Sequence, residues 1–162
     1  MRELYGVPRI VGLDAGERRI GVAISDATGT LARPVGILRV AGLGKSAAAA
    51  VAADIARLER DDEPVVTVVV GWPRRLDGTP NAMTARVESF AAVLRTRLDR
   101  PVVLQDERLS SHEADSRLAT REKDWRVRKE RLDAAAAAVI LQDFLDAGRA
   151  RVTTVTLDGN DA

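Results

Sequence analysis

The chain has 162 residues, 46% of them apolar and 30% charged, which is the composition of one ordinary globular domain. It has no cysteine and one histidine, which excludes disulfides, thiolate nucleophiles, iron–sulfur clusters and zinc sites built on cysteine or paired histidines. No apolar run reaches membrane-span length, and the first residues lack the apolar stretch of a signal peptide. We therefore expect a cytoplasmic protein with no membrane partner.

The first half of the chain predicts a sheet followed by a helix. Apolar runs at 9–14, 19–25 and 34–40 are separated by short turns and predict three strands in an antiparallel meander. Apolar residues at helical spacing predict a helix over 46–60. The run at 65–70 is apolar on both faces, as a central strand should be.

The second half alternates in the same way. Thr79 and Pro80 have the residue types of a helix N-cap and first position, and a helical apolar stripe follows. A fifth strand is predicted at 102–105, and a capping box from Ser110 to Glu113 predicts a further helix. A last helix is predicted over 132–147, ended by Gly148.

This order of elements predicts an α/β fold, with a mixed five-stranded sheet and helices on both faces. The first strand can join the parallel set, which places its carboxyl end beside that of the fifth strand. Ligands of such sheets bind beyond those ends. We expect a single domain over 1–148 and a frayed C-terminal tail over 149–162.

Acidic residues stand where the strands of this sheet end. Asp14 ends the first strand, Asp106 and Glu107 end the fifth, and Asp133 begins the last helix. Carboxylates that converge without basic partners repel one another, and a divalent cation relieves the repulsion. Oxygen ligands favour Mg²⁺ or Mn²⁺, ions that serve phosphate chemistry. The pattern therefore predicts a metal site.

Three of these acids also have a simpler interpretation. Asp133 could be a helix N-terminal acid favoured by the helix dipole. Asp106 could pair with Arg108, and Asp14 could be a turn residue beside Gly16. The joint placement of the acids favours the metal site.

Four motifs resemble the YqgF (RuvX) family, in the right order over roughly residues 9–147. They are Gly12-x-Asp14-x-Gly16-x-x-Arg19-Ile-Gly-Val-Ala-x-Ser25-Asp26, then Gly71-x-Pro73 with Gly78, then Asp106-Glu107-Arg108-Leu109, and last Asp133-x-x-Ala136-Ala137-x-x-Ile140-Leu141.

The resemblance implies an RNase H-like fold related to the RuvC resolvases. It implies a metal-dependent nuclease whose acidic triad corresponds to Asp14, Glu107 and Asp133. It also implies a role in trimming the 5′ end of pre-16S ribosomal RNA, on RNA or a pre-ribosomal particle. Cleavage of DNA Holliday junctions is the alternative substrate, and a non-catalytic RNA- or ribosome-binding module on the same fold is the alternative function.

Basic residues near these acids predict contacts with nucleic acid. Residues 117–131 carry a net charge of +4, whereas the whole chain is at +1. Arg18 and Arg19 lie in the first turn, and Arg126, Arg128 and Lys129 lead directly to Asp133. A polyanionic substrate needs such contacts beside an acidic centre, although an exposed, screened loop is the simpler interpretation.

Several other residues keep two interpretations. Trp72 and Trp125 could stack on bases or pack within the protein, and His112 is more typical of a helix surface than of a general acid. The segment 42–46, Gly-Leu-Gly-Lys-Ser, resembles part of a phosphate loop, but Arg39 stands where the first glycine of that motif belongs. A loop that leads into a helix explains it better. An actin-like ATPase is a further alternative, but it would need two domains of this size, and the chain has the length of one.

Overall fold

The computed structural model describes residues 8–61, 64–107 and 125–158, with the side chains of the last segment described over 131–148. Eight elements follow one another along the chain. They are β1 (Arg9–Ala15), β2 (Arg19–Ser25), β3 (Ala32–Arg39), α1 (Lys45–Glu59), β4 (Val65–Trp72), α2 (Thr84–Arg97), β5 (Val102–Asp106) and α3 (Trp125–Asp158). The capping box at Ser110 and Glu113, together with His112, lies outside the described residues.

The five strands form one mixed sheet in the order β3-β2-β1-β4-β5. β1, β2 and β3 pair antiparallel as the predicted meander, whereas β1, β4 and β5 run parallel. The predicted architecture is therefore confirmed. One expectation is corrected, because β4 lies between β1 and β5, so the carboxyl ends of these two strands are second neighbours.

The two faces of the sheet bury different partners. One face, which includes Val11 and Leu13 of β1, packs with α1 and α2 through residues such as Val51 and Phe90. The other face packs against α3, whose Ile140 and neighbours cover Ala23 of β2 and Val69 of β4. Because side chains alternate along a strand, Gly12 and Asp14 of β1 face α3.

Glycines bring α3 unusually close to the sheet. A methyl group on Gly12 would lie 2.7 Å from the Leu141 Cβ, and one on Gly21 would overlap the backbone carbonyl of Asp133. Both glycines lie within strands, where glycine often marks a close approach of another backbone. The alanine run of α3, at 134–138, allows the same approach from the side of the helix.

The predicted start of α2 is wrong. Pro80 forms an isolated β-bridge with Arg74, and the helix begins only at Thr84. The side-chain oxygen of Asn81 accepts hydrogen bonds from the backbone N–H groups of Met83 and Thr84, at 2.9 and 3.1 Å. Asn81 thus satisfies donors that the start of a helix leaves free, the role predicted for Thr79.

The predicted bounds of the last helix are also wrong, since α3 runs from Trp125 to Asp158. Gly148 keeps a negative φ within the helix and does not form the left-handed cap that would end it. An interior glycine costs a helix only about 1 kcal/mol relative to alanine, which a long helix tolerates. The division into a domain over 1–148 and a tail over 149–162 stays a prediction.

The segment at 42–46 leads into a helix, as expected. Gly44 is the N-cap of α1, Lys45 is its first residue, and Gly42 adopts a positive φ of 113°. The turn before it is held to the β1–β2 connection, because the Gly42 N–H donates to the Glu17 carbonyl at 2.7 Å.

Candidate active site

An open cleft of about 460 Å³ lies beyond the carboxyl end of β1. Its walls include the three predicted carboxylates, Asp14, Glu107 and Asp133. The turn from Gly16 to Arg19, together with Pro73 and Met83, completes the lining. The fold thus gathers at one place three residues that are far apart in the sequence.

Asp14 lies at the base of the cleft. It pairs across the sheet with Gly21, over which α3 places Asp133. Burial, together with the negative charge of Asp133, raises the pKa of Asp14 to about 6. Asp14 is therefore a carboxylate that the fold holds in an unfavourable environment.

Glu107 follows the last residue of β5, and its side chain crosses toward β1. A methyl group on Gly71 of β4 would overlap the Glu107 carboxylate, so that carboxylate lies directly over Gly71. This glycine allows Glu107 to reach Asp14 across the intervening strand. Burial, together with the negative charges of Asp14 and Asp106, raises the pKa of Glu107 to about 8.

Asp133 completes the group from α3, but its partner is a cation. The Arg19 Nε lies 3.2 Å from the Asp133 Oδ2, and both side chains are about three-quarters buried. Because α3 begins eight residues earlier, at Trp125, Asp133 is not a helix N-terminal acid. That alternative is wrong, and so is the expectation that none of the converging carboxylates has a basic partner.

The fourth candidate acid, Asp106, points to the other face of the sheet. Its carboxylate forms an ion pair with Arg74, whose guanidinium stacks at 4.0 Å over the indole ring of Trp72. The indole N–H of Trp72 donates to Glu88 at 3.0 Å. Trp72 is therefore in contact with Arg74 and Glu88 of this chain, and Asp106 belongs to the same cluster. Arg108, the partner considered for Asp106, lies outside the described residues.

The donor set fits a hard divalent cation such as Mg²⁺ or Mn²⁺. All the candidate ligands are carboxylate oxygens, and within the described residues the Asp14 and Glu107 side chains form no hydrogen bond or ion pair. Their raised pKa values mean that a nearby positive charge would stabilise both. In the conformation observed, no three acidic side chains of the described ranges are arranged to enclose an ion, since Asp133 is turned to Arg19.

The predicted basic residues divide into two groups. Arg18 and Arg19 line the cleft, and Arg18 is exposed at its edge. Arg126, Arg128 and Lys129 belong to the first two turns of α3, but their side chains lie outside the described part of the chain, as does that of Trp125.

The residues that sequence reasoning missed are the strand glycines. Gly12, Gly21 and Gly71 were visible as isolated glycines inside apolar strand patterns, a signal for close backbone approach. Here they set the positions of Asp133 and Glu107. Ser25 and Asp26, at the end of the first motif, hold the strand and the turn that follows it. The Ser25 hydroxyl accepts a hydrogen bond from the Ile10 N–H at 2.9 Å, and Asp26 accepts hydrogen bonds from the N–H groups of Thr30 and Leu31.

Comparison with known proteins places this cleft in a family. The family model described as "RuvX: Holliday junction resolvase" matches residues 8–147. The chain belongs to the RuvX family. A relative from Geobacillus kaustophilus is 39% identical, covering 87% of this chain and 99% of that protein. Another from Anaeromyxobacter dehalogenans is 43% identical, covering 85% and 96%. Both are provisionally named as pre-16S rRNA nucleases.

The RuvX resemblance in the sequence is thus confirmed, and so is the fold it implied. Fowlpox virus resolvase, solved with its substrate Holliday junction DNA, is similar with a TM-score of 0.51 and 15% identity, over 86% of this chain and 97% of that one. At that identity the likeness supports the RNase H-like fold alone. Among the described residues of this RuvX chain, no helix is long and apolar enough to cross a membrane.

Proposed function

We propose that this RuvX chain is a divalent-metal-dependent nuclease that hydrolyses phosphodiester bonds, with Asp14, Glu107 and Asp133 as its metal-binding carboxylates. One observation carries the proposal. Asp14 and Glu107 are desolvated in an open cleft, their negative charges repel each other, and neither has a basic partner among the described residues. Such an arrangement destabilises a fold unless it serves a bound cation.

The three carboxylates would each contribute in a different way. Asp14 lies within β1, and Glu107 reaches it from the end of β5 across Gly71. Asp133 joins them from α3 once Arg19 releases it. Mg²⁺ or Mn²⁺ bound here would supply Lewis acidity, activating water and neutralising charge on the phosphate.

Arg19 has two roles in this proposal. It neutralises Asp133 while the carboxylates hold no cation, and its guanidinium is placed to turn to a substrate phosphate afterwards. Arg18, exposed at the cleft edge, would contact a neighbouring phosphate. Arg126 and Lys129 stand seven and four residues before Asp133, a spacing that keeps helix positions on one face. Together with Arg128 they would extend the contacts along α3.

For the substrate we propose RNA, specifically the 5′ end of pre-16S ribosomal RNA. The protein would act on it in the cytoplasm, within a pre-ribosomal particle. The support is the name carried by relatives about 40% identical over nearly their whole length. The second candidate is a DNA Holliday junction, which the description of the matching family model favours. A binding module without catalysis is the third, and it gives the paired carboxylates of Asp14 and Glu107 no purpose.

The test is a side-by-side digest in Mn²⁺ of labelled single-stranded RNA, a pre-16S RNA fragment and a four-way DNA junction. Asp14→Asn is the blank, and Asp61→Asn, an exposed acid far from the cleft in sequence, is the matched control. Cleavage of RNA by wild type and the control, but not by Asp14→Asn, supports the proposal. Symmetric junction cuts would favour the DNA substrate. No cleavage of any substrate would reject the nuclease.

A further inference from the structure

A second groove adjoins the cleft, and three arginines line it. Its volume is about 510 Å³, and its lining consists of Arg18, Arg19, Arg39, Val40 and Ala41. Arg18 and Arg19 line the cleft as well, so the two depressions share a wall. Among the described residues, no acidic side chain is part of the groove's lining.

Arg39 adds a third arginine to the two that line the cleft. It ends β3 and pairs directly with Arg19 across the antiparallel β2–β3 ladder. Residues in such a pair point to the same face of the sheet and lie close together. The two guanidinium groups therefore line one groove, and Arg19 also forms an ion pair with Asp133. Arginine side chains grouped in this way suit the phosphates of a nucleic-acid strand.

The backbone around the groove is fixed before any ligand arrives. The Val40 N–H donates to the Arg18 carbonyl at 2.9 Å, and the Gly42 N–H donates to the Glu17 carbonyl at 2.7 Å. These bonds join the turn after β1 to the segment after β3. Val40 and Ala41 give the groove an apolar part that suits a sugar, and the arginines suit the phosphates on each side of that sugar.

We propose that this groove binds the sugar–phosphate backbone of the substrate strand next to the scissile bond, with Arg39 as a phosphate-binding residue. The inference rests on the proposed nuclease function for its ligand. It extends that function by giving the strand a path, from the carboxylates past Arg18 and Arg19 to Arg39.

The test compares Arg39→Ala with Arg33→Ala, both made in the Asp14→Asn background so that the probe is not cut. Arg33 is an exposed arginine on the same strand, but its partner Ile24 belongs to the opposite face of the sheet. Both changes remove one positive charge from β3, so long-range attraction falls equally. Binding of a labelled ten-nucleotide single-stranded RNA is followed by fluorescence anisotropy over a series of salt concentrations.

Loss of one phosphate contact on a single strand lowers the slope of log affinity against log salt concentration by about 0.7. At 0.15 M salt this corresponds to roughly a fourfold loss of affinity. We expect this loss for Arg39→Ala and not for Arg33→Ala. Equal affinities and salt slopes for the two variants would overturn the proposal that this groove binds the substrate strand.

The nuclease assay separates this result from the parent proposal. If wild type cleaves RNA while the two variants bind alike, the groove is wrong and the nuclease stands. If wild type cleaves nothing while Arg39→Ala alone weakens binding, the groove stands as a nucleic-acid site and the nuclease is rejected.

Discussion

Glu107→Gln should stabilise the metal-free protein while abolishing its activity. Raising the Glu107 pKa from its ordinary 4.5 to about 8 means that the folded protein takes up a proton that the unfolded chain releases. The contribution of Glu107 to stability is therefore fully present below pH 4.5 and is lost as the pH rises through about 8. Glutamine has nearly the shape of the protonated side chain and carries no charge, so the variant escapes this loss.

The size of the effect follows from the same pKa values. At pH 7 the pKa difference between the folded and unfolded states lowers the free energy of unfolding by about 3 kcal/mol, and at pH 5 by less than about 1 kcal/mol. Water enters the open cleft and screens part of it, so we expect a gain of about 1–3 kcal/mol at pH 7. For a chain of this length that gain raises the melting temperature by roughly 3–10 °C.

The assay is urea unfolding in EDTA at pH 5, 7 and 8.5, beside RNA cleavage in Mn²⁺ at pH 7. Asp61→Asn removes one charge from an exposed residue and should change the free energy of unfolding by less than about 0.5 kcal/mol at each pH. A Glu107→Gln protein no more stable than wild type at pH 7 and 8.5 would refute the idea that burial strains this carboxylate. Retained cleavage would refute its role as a ligand.

Three further predictions concern the same cleft. Mn²⁺ should raise the melting temperature of wild type but not of Asp14→Asn. The apparent affinity for Mn²⁺ should increase from pH 6 to pH 8, because ligation displaces protons from Asp14 and Glu107. Calorimetry that finds a pH-independent affinity would contradict this. Gly71→Ala should cost about 1–3 kcal/mol and most of the activity, whereas Gly148→Ala, with open space around it, should stabilise by about 0.5–1 kcal/mol in the same urea titration. Arg19→Ala removes the ion pair that draws Asp133 toward Arg19, so Mn²⁺ should bind more tightly while RNA binds more weakly. Weaker Mn²⁺ binding in a titration would show that the arginine positions the acid instead.

The sheet could be predicted from the sequence because burial alone determines its strands. Val68, Val69 and Val70 are all fully buried, which is why the run at 65–70 reads as a strand covered on both faces. The start of α2 could not be predicted, because Thr79 and Pro80 have the right residue types for a helix start. A bridge between Pro80 and Arg74 instead draws the segment into a small hairpin, and this contact has no local signal.

The candidate site was predictable in its members but not in its contacts. Strand order alone brings Asp14 and Glu107 to the same edge, so the topology was sufficient to nominate them. The ion pair between Arg19 and Asp133 depends on how closely α3 approaches β2, which the pattern of apolar residues does not fix. Arg19 was predicted only as a phosphate contact, and this ion pair gives it a second role as the partner of Asp133.

The glycines explain why the fold tolerates these strained acids at all. Side chains at Gly12 and Gly21 would push α3 away from the sheet, and Asp133 would move out of reach of Asp14. A side chain at Gly71 would displace Glu107 from the same centre. Each glycine weakens its strand, since it buries nothing and loses more backbone entropy than any other residue on folding. Three such positions around two desolvated carboxylates lower stability in the same place, which is the pattern expected where a fold is built around a ligand rather than for its own stability.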